Sequence, residues 1–210
     1  MRGTQILVST AAAESKFVEL VRGWLVSLPH DLKIAFDAMD DENLPRPVRE
    51  VAAGVVVYVV SPNDFIQDRN DAVVSYADDA LLLRLALAKA LGKGEDEQAF
   101  KERFPELFED LEENLTLCKD VMGDLMTWLE SKVPNLPKLD YKGKKVAKYL
   151  EDAEAREQLY DDGLVFRTDY PVDEKTIADK LKKAATVTEV MKRRKEEEAR
   201  AKGLKTTARA

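Results

Sequence analysis

The sequence predicts an all-α protein, a helical bundle with a central buried helical hairpin and longer amphipathic helices in its second half. Of its 210 residues, 45% are hydrophobic and 35% are charged. That pairing is typical of helices with one apolar stripe and a charged outer face. The nine glycines and eight prolines are few for a turn-rich chain, which argues against a sandwich or barrel. Apolar residues also recur at steps of three and four.

The N-terminal part predicts two helices separated by a proline. Residues 11–28 carry an apolar face at helical spacing, formed by Phe17, Leu20, Val21, Trp24, Leu25 and Leu28. Pro29 is expected to end this helix, because proline disfavours helical geometry in the residue before it. A short second helix is then expected over residues 31–39.

The central hairpin occupies residues 55–91, where two strongly apolar runs flank a polar segment. The first run is expected to be a helix that begins after Pro45 and Pro47 and ends at Val60. Its β-branched residues would also suit a buried strand, but continuity with the helical spacing before it favours a helix. The second run, residues 72–91, predicts an apolar helix that a Gly-Lys-Gly sequence closes.

The second half contains a heptad seam, which predicts one long helix over residues 105–133. The seam consists of Phe104, Phe108, Leu111, Leu115, Cys118, Met122, Leu125 and Leu129. It could pack inside the chain or join a partner chain in a homo-oligomer, and its shortness favours packing inside.

Further helices are expected over residues 141–160, ended by Gly163, and over residues 173–202. An extended link is expected between them, at residues 165–170.

Three regions follow from these patterns. Residues 1–94 form a helical domain that contains the hairpin, and residues 95–191 form amphipathic helices packed on it or extending from it. Residues 192–210 form a charged tail that is expected to fray, since no large apolar residue follows Met191 until Leu204.

The net charge of −7 argues against nucleic acid as the main partner, because duplex binding requires a positive footprint. The tail holds eight basic and three acidic residues, a local +5, which leaves −12 on the rest of the chain. Internal ion pairs along a solvated helix are favoured for this tail, and contact with an anionic membrane or with nucleic acid is the alternative. No apolar run reaches about 18 residues, so no transmembrane segment is expected. A cytoplasmic protein is expected.

Residues 44–91 carry a motif that resembles the YkvA-like family, a small bacterial helical domain of unknown function. The resemblance rests on Leu44-Pro45-Arg46, Arg49, Tyr58, Ser61-Pro62-Asn63-Asp64, Ile66, Asp68, Tyr76 and Asp78-Asp79. The sequence departs from the family pattern at Asn63, Gln67 and Ser75-Tyr76-Ala77. The resemblance implies a fold fragment and a bacterial cytoplasmic or membrane-peripheral setting, and it implies no reaction.

The aspartates of this segment have two interpretations. A divalent cation such as Mg²⁺ prefers oxygen ligands and could be held by Asp64, Asp68, Asp78 and Asp79.

The structural interpretation is favoured. In it, Ser61 caps a helix that begins at Pro62, and Asp64 completes a capping box. One of the pair Asp78-Asp79 then forms a buried ion pair with Arg46 or Arg49.

The sequence contains few residues that are suited to catalysis. His30, the single histidine, follows Pro29 in an expected connection between helices and is expected to be a surface or capping residue. Cys118 on the heptad seam is expected to be a buried, inert thiol. No phosphate-binding glycine loop is present. The favoured function is a non-enzymatic protein that acts through protein–protein contacts as a scaffold or regulator. A metal- or ligand-binding helical protein and a membrane-peripheral regulator are the alternatives.

Overall fold

The computed structural model describes residues 2–61, 74–90, 95–170 and 173–207. Over these residues the protein is an all-α bundle, as the sequence predicts, and its β structure is one short antiparallel ladder. Within the same ranges, no helix combines the length and apolar character needed to cross a membrane. The first helices are α1 (Arg2–Asp40), α2 (Arg46–Val60), a 3-10 turn (Val74–Tyr76), α3 (Ala77–Ala90) and α4 (Glu95–Arg103). The later elements are α5 (Pro105–Phe108), α6 (Leu111–Met122), α7 (Asp124–Glu130), a 3-10 helix (Val133–Lys138), β1 (Asp140–Tyr141), β2 (Lys144–Lys145), α8 (Val146–Glu151), α9 (Ala153–Asp169), α10 (Glu174–Lys180) and α11 (Ala184–Thr207).

The predicted central hairpin is confirmed as α2 and α3, with α1 packed against both. Every side chain from Ala77 to Leu87 is buried, which is the environment that an apolar helix requires on all sides. In α2 the β-branched run is helical and buried. Gly54 allows the backbone of α2 to touch the 3-10 helix, since a Cβ there would lie 2.5 Å from the Leu136 carbonyl oxygen. Residues 62–73 and 91–94, which include the expected Gly-Lys-Gly end of the hairpin, lie outside the described residues.

One helix, α1, replaces the two helices predicted around Pro29. A proline inside a helix has no N–H, so the carbonyl of Leu25, four residues earlier, loses its helical partner. The Tyr170 hydroxyl donates to this carbonyl over 2.7 Å in the core. A residue 145 positions away therefore satisfies the group that the proline leaves unpaired, and the helix continues.

The single helix predicted over residues 105–133 is divided into α5, α6 and α7. Positive φ angles occur at both breaks, 50° at Asp110 and 53° at Gly123. The seam residues nevertheless face the core, and those fully buried are Leu111, Cys118, Met122, Leu125 and Leu129. The buried part of the seam therefore packs within the chain, while Phe104, Phe108 and Leu115 are half-buried, and a partner chain at the seam stays a prediction.

Two further predictions are wrong in the region of α8 and α9. The start of the helix predicted over residues 141–160 is a β-hairpin, and α8 is separated from α9 at Asp152, which caps α9 by accepting from the Ala155 N–H at 3.1 Å. Gly163 does not end a helix but lies within α9, which continues through the predicted extended link to Asp169. A Cβ at Gly163 would lie 2.6 Å from the ring of Phe36, so this glycine permits close packing.

The last helix predicted from residue 173 is divided into α10 and α11, and α11 continues to Thr207. The predicted fraying from residue 192 is wrong for two of its residues, because both contact the body of the protein. Arg194 reaches Asp78, and Glu198 accepts from the Trp128 indole at 3.1 Å and from Lys132 at 2.7 Å. Polar contacts here take the place of the apolar residues that the sequence lacks.

Candidate functional site

Two adjacent acids, Asp78 and Asp79, lie in the first turn of α3 and are both fully buried. Carboxylates are favoured at a helix N-terminus, where backbone N–H groups and the helix dipole stabilise negative charge. Local sequence therefore explains why aspartates occur in this turn. It does not explain why both are buried, which depends on the elements packed around them.

Asp78 joins three helices. Its Oδ2 accepts a hydrogen bond from the Tyr58 hydroxyl of α2 at 2.7 Å and another from Arg194 Nη1 of α11. Arg194 Nη2 donates to the carbonyl of Ser75 in the 3-10 turn. The Arg194 side chain is only 10% exposed, so the ion pair is shielded from water and is correspondingly strong. Burial opposes the charge of Arg194, but the nearby Asp78 and Asp79 more than offset it and raise the arginine pKa.

Asp79 has no comparable partner. Among the described residues, neither of its carboxyl oxygens has a hydrogen-bond partner, and the same is true of Oδ1 of Asp78. Burial raises the pKa of Asp79 well above its ordinary value, and the negative charge of Asp78 raises it further, while Arg194 lowers it. Among the described residues, one guanidinium thus faces two carboxyl groups, and the raised pKa of Asp79 favours the protonated form of that group.

Three aromatic rings lie on the α9 side of this cluster. The ring centroid of Tyr76 lies 5.6 Å from that of Phe166 and 5.1 Å from that of Tyr170, and Phe166 and Tyr170 are 5.3 Å apart. Burial, followed by the charge of Asp79, raises the pKa of both tyrosines. Burial, followed by the charge of Asp78, likewise raises the pKa of Tyr58. All three phenols therefore stay neutral.

The predicted pairing of Asp78 or Asp79 with Arg46 or Arg49 is wrong. Arg46 pairs with Glu50 at 2.8 Å and with Glu151, while Arg49 donates to the Met39 carbonyl at 2.9 Å.

The reason for this error is distance along α2. The helix rises about 1.5 Å per residue, which places Arg46 roughly 18 Å from Tyr58 along the axis. Because α3 begins beside Tyr58, its first turn contacts the far end of α2 and not the end that carries the two arginines.

The capping and metal predictions fall partly outside the described residues. Ser61 ends α2, and its hydroxyl donates to the Val57 carbonyl at 2.5 Å. Asp64 and Asp68 lie within residues 62–73, so the capping box and the four-carboxylate metal site stay predictions. In the described part of the chain, no three His, Cys, Asp or Glu side chains lie close enough together to hold a metal ion.

A second buried charge network connects α3 to α1. Arg84 Nη2 donates to Asp31 Oδ2 at 2.7 Å and to the Ser27 hydroxyl at 2.9 Å, and Nη1 donates to the Leu107 carbonyl at 3.2 Å. The guanidinium also lies 5.0 Å from the ring centre of Trp24. Burial raises the pKa of Asp31, and the charge of Arg84 opposes that shift. A lone arginine within the apolar run of α3 was the sequence signal for this network, because a buried guanidinium requires a partner.

The single histidine and the single cysteine have the exposure that the sequence predicts. His30 is exposed, although it lies within α1 and not in a connection. Cys118 is fully buried, and burial raises the pKa of its thiol to about 12. A thiol with that pKa holds its proton at neutral pH and is a poor nucleophile.

The fold and the site together define an all-α bundle in which buried ion pairs connect helices that are distant in the sequence. Compared with known proteins, the chain matches no family model, no curated protein and no solved structure. The resemblance of residues 44–91 to the YkvA-like family therefore stays a prediction.

Proposed function

We propose that this is a non-enzymatic bacterial cytoplasmic protein that acts by binding a partner protein with a basic surface. The observation that carries the proposal is an acidic face on the outer side of α5–α7. We define this acidic face by six exposed carboxylates, those of Glu109, Asp110, Glu112, Glu113, Asp120 and Asp124. Among the described side chains from 105 to 124, Lys119 is the only exposed cation.

The carboxylates of the acidic face are clustered and of one sign. This differs from parts of the surface where opposite charges pair along a helix, as Lys33 does with Asp37 at 2.8 Å and Lys148 with Asp152 at 2.8 Å. Within the described ranges, none of the six carboxylates of the acidic face takes part in an ion pair. Neighbouring charges of one sign repel each other, and a partner of the opposite sign relieves that repulsion and steers association.

The chemistry of the described residues supports binding more than catalysis. The buried ionisable groups of the two networks donate to and accept from one another, which stabilises contacts between helices. The single histidine is exposed, and the thiol is buried with a raised pKa. A protein of this kind presents its surface to a partner while its interior charges hold the helices in place.

Charge reversal on the acidic face tests the proposal. The variant Glu109→Lys/Asp120→Lys changes two exposed positions that lie outside the first turn of any α-helix. The matched control, Glu157→Lys/Glu189→Lys, makes the same charge change at exposed positions of α9 and α11. We expect a protein captured from the source cells by the wild type and by the control to be lost with the acidic-face variant.

The captured protein is then purified and titrated against the wild type at low and high salt. Its affinity should fall as salt rises, because screening weakens contacts between exposed charges. Equal capture by the acidic-face variant and the wild type would reject the proposed surface.

A divalent-metal function is the second candidate, because three buried carboxyl oxygens of Asp78 and Asp79 have no hydrogen-bond partner among the described residues. A metal that binds the native state raises the melting temperature. The wild type and Asp79→Asn are melted with Mg²⁺, Mn²⁺ and Ca²⁺ in turn. An increase seen only in the wild type supports a site that includes Asp79, and no change with any ion rejects it.

A further inference from the structure

A groove of about 520 Å³ lies between α1 and α6, which pack against each other. Its apolar part is formed by Leu20 and Leu117, both half-buried and in contact with the core. The charged residues that line it are three carboxylates and one ammonium group, those of Glu19, Glu113, Asp120 and Lys16. We call this feature the α1–α6 groove. It combines an apolar floor with a rim of predominantly negative charge.

One segment of the chain, residues 199–207, has the complementary chemistry. Leu204 is the single large apolar residue in residues 192–207, and it lies in the helical backbone of α11. Residues 199–207 contain no acidic residue, and their three cations are Arg200, Lys202 and Lys205. A helix that presents one apolar residue among cations fits a groove that has an apolar floor and an acidic rim.

The groove and this segment are far apart within one chain. Arg22, close to the α1 side of the groove, donates to the Leu181 carbonyl at 2.7 Å. Helix α11 begins three residues later and rises about 1.5 Å per residue, so it carries Leu204 about 30 Å along the helix axis. On the way, Glu198 accepts from Trp128 of α7, which lies beyond α6. A contact between the groove and the segment therefore requires two copies of the protein.

We propose that residues 199–207 of α11 dock in the α1–α6 groove of a second copy of this protein. In this contact Leu204 lies against Leu20 and Leu117, and the cations of the segment face the carboxylates of the rim. The inference rests on the proposed function, because two of the rim carboxylates belong to the acidic face, and it identifies the basic partner as this protein itself. The contact joins two different surfaces, so each copy offers one groove and one segment.

Sedimentation velocity of the full chain measures this association. We expect the wild type to form species larger than the monomer at low salt and to dissociate as salt rises, because salt screens exposed charges. Thr116→Trp places a bulky ring in the groove at an exposed position, and Leu204→Ser removes the apolar residue of the segment. Each should raise the dissociation constant about 10- to 100-fold, the range expected for the burial of one leucine.

Matched controls make the same chemical changes outside the contact. Thr127→Trp and Leu164→Ser alter exposed positions of α7 and α9 and should associate as the wild type does. An equimolar mixture of Thr116→Trp and Leu204→Ser should also associate. The first variant supplies an intact segment and the second supplies an intact groove.

The proposal is overturned if the wild type is monomeric at every concentration and salt, if either variant associates as the wild type does, or if the mixture stays monomeric. Asp120→Lys and Lys205→Glu repeat the test through charge if one of the first two variants does not fold. A monomeric wild type would reject this contact and leave the proposed function standing, because capture through the acidic face is measured separately. Association that survives Thr116→Trp but is lost with Glu109→Lys/Asp120→Lys would support the acidic face and overturn the groove.

Discussion

The Arg84–Asp31 and Arg194–Asp78 pairs are both buried contacts between a guanidinium and a carboxylate, but their surroundings differ. Among the described residues, Arg84 faces one carboxylate and also contacts Ser27, Leu107 and Trp24. Arg194 faces two carboxyl groups, and the second one, on Asp79, has no hydrogen-bond partner among the described residues. Within the described part of the chain, one additional aspartate therefore distinguishes the surroundings of the Arg194 pair from those of the Arg84 pair.

The helices that the two pairs connect also differ. The Arg84 pair lies between α1 and α3, both of which are anchored by apolar side chains on either side of it. The Arg194 pair connects α3 to residues 192–200 of α11, whose described hydrogen bonds to the body come from Arg194 and Glu198. Breaking the Arg84 pair leaves a buried charge that water cannot reach. When the Arg194 pair is broken, the end of α11 can move away from α3, and water can then reach the remaining charge. Substitutions in the two pairs should therefore have unequal costs.

The largest effect is expected from Arg84→Met. Removing the guanidinium leaves Asp31, whose side chain is 1% exposed, as an uncompensated buried charge. Loss of one partner from a buried pair costs about 3–5 kcal/mol of unfolding free energy, which urea denaturation measures. The double variant Arg84→Met/Asp31→Asn should recover part of that loss. A cost below about 1 kcal/mol for the single variant would mean that the pair is not shielded as described.

A smaller loss, about 2 kcal/mol, is expected from Arg194→Met, because residues 192–200 of α11 can move away from α3 and let water reach Asp78. Urea denaturation of the wild type and of the variant measures the difference in unfolding free energy. A loss as large as that of Arg84→Met would remove the distinction between the two pairs.

Asp79→Asn is expected to raise the free energy of unfolding, in contrast to the two arginine variants, by about 1–2 kcal/mol at neutral pH. The pKa of Asp79 is raised in the folded state, so folding is favoured where the group is protonated in both states. That contribution is lost as pH rises from the ordinary value of 3.8 toward the raised folded value. Thermal melts should show the wild type losing stability over this interval relative to the variant. If the variant is less stable than the wild type at every pH, the ionised form of Asp79 does not destabilise the folded protein and the prediction is wrong.

The smallest effect is expected from Tyr58→Phe, at about 1 kcal/mol. This change removes one hydrogen bond to Asp78, whose Oδ2 still accepts from Arg194. Tyr170→Phe is the matched comparison, because its loss leaves the Leu25 carbonyl buried without that donor. Urea denaturation should rank Tyr170→Phe as the more damaging of the two. The reverse order would indicate that the Arg194 pair depends mainly on Tyr58.

The parts of the fold that the sequence predicts are those set by local apolar pattern. The α2–α3 hairpin is apolar on all sides, and its burial follows from composition. The wrong boundaries at Pro29 and Gly163 have a common cause, because tertiary partners overrode a local rule. Tyr170 satisfies the carbonyl that Pro29 leaves unpaired, and the ring of Phe36 fills the space beside Gly163.

The sequence predicts the acidic residues of the candidate site but not the arginine that pairs with them. The pair Asp78-Asp79 stands out in the sequence, but Arg194 is 116 residues away in a segment that resembles a solvated tail. A signal was present nonetheless. The inward stripe of Val187 and Met191 continues at steps of three and four to Arg194 and Glu198, with charged residues in place of apolar ones. The helical spacing of these positions indicates the buried face of α11, but the charged residues at two of them are typical of a solvent-exposed helix.

The bond from Tyr170 to the Leu25 carbonyl also has a consequence for how the chain is made. The acceptor is synthesised 145 residues before its donor. At ribosomal speeds of about 5–20 residues per second, roughly 7–30 s pass before the tyrosine exists. During that interval the N-terminal helix has a weak point at Pro29 where only water can bond to the carbonyl. The longest helix of the protein is therefore completed by one of the later residues to leave the ribosome.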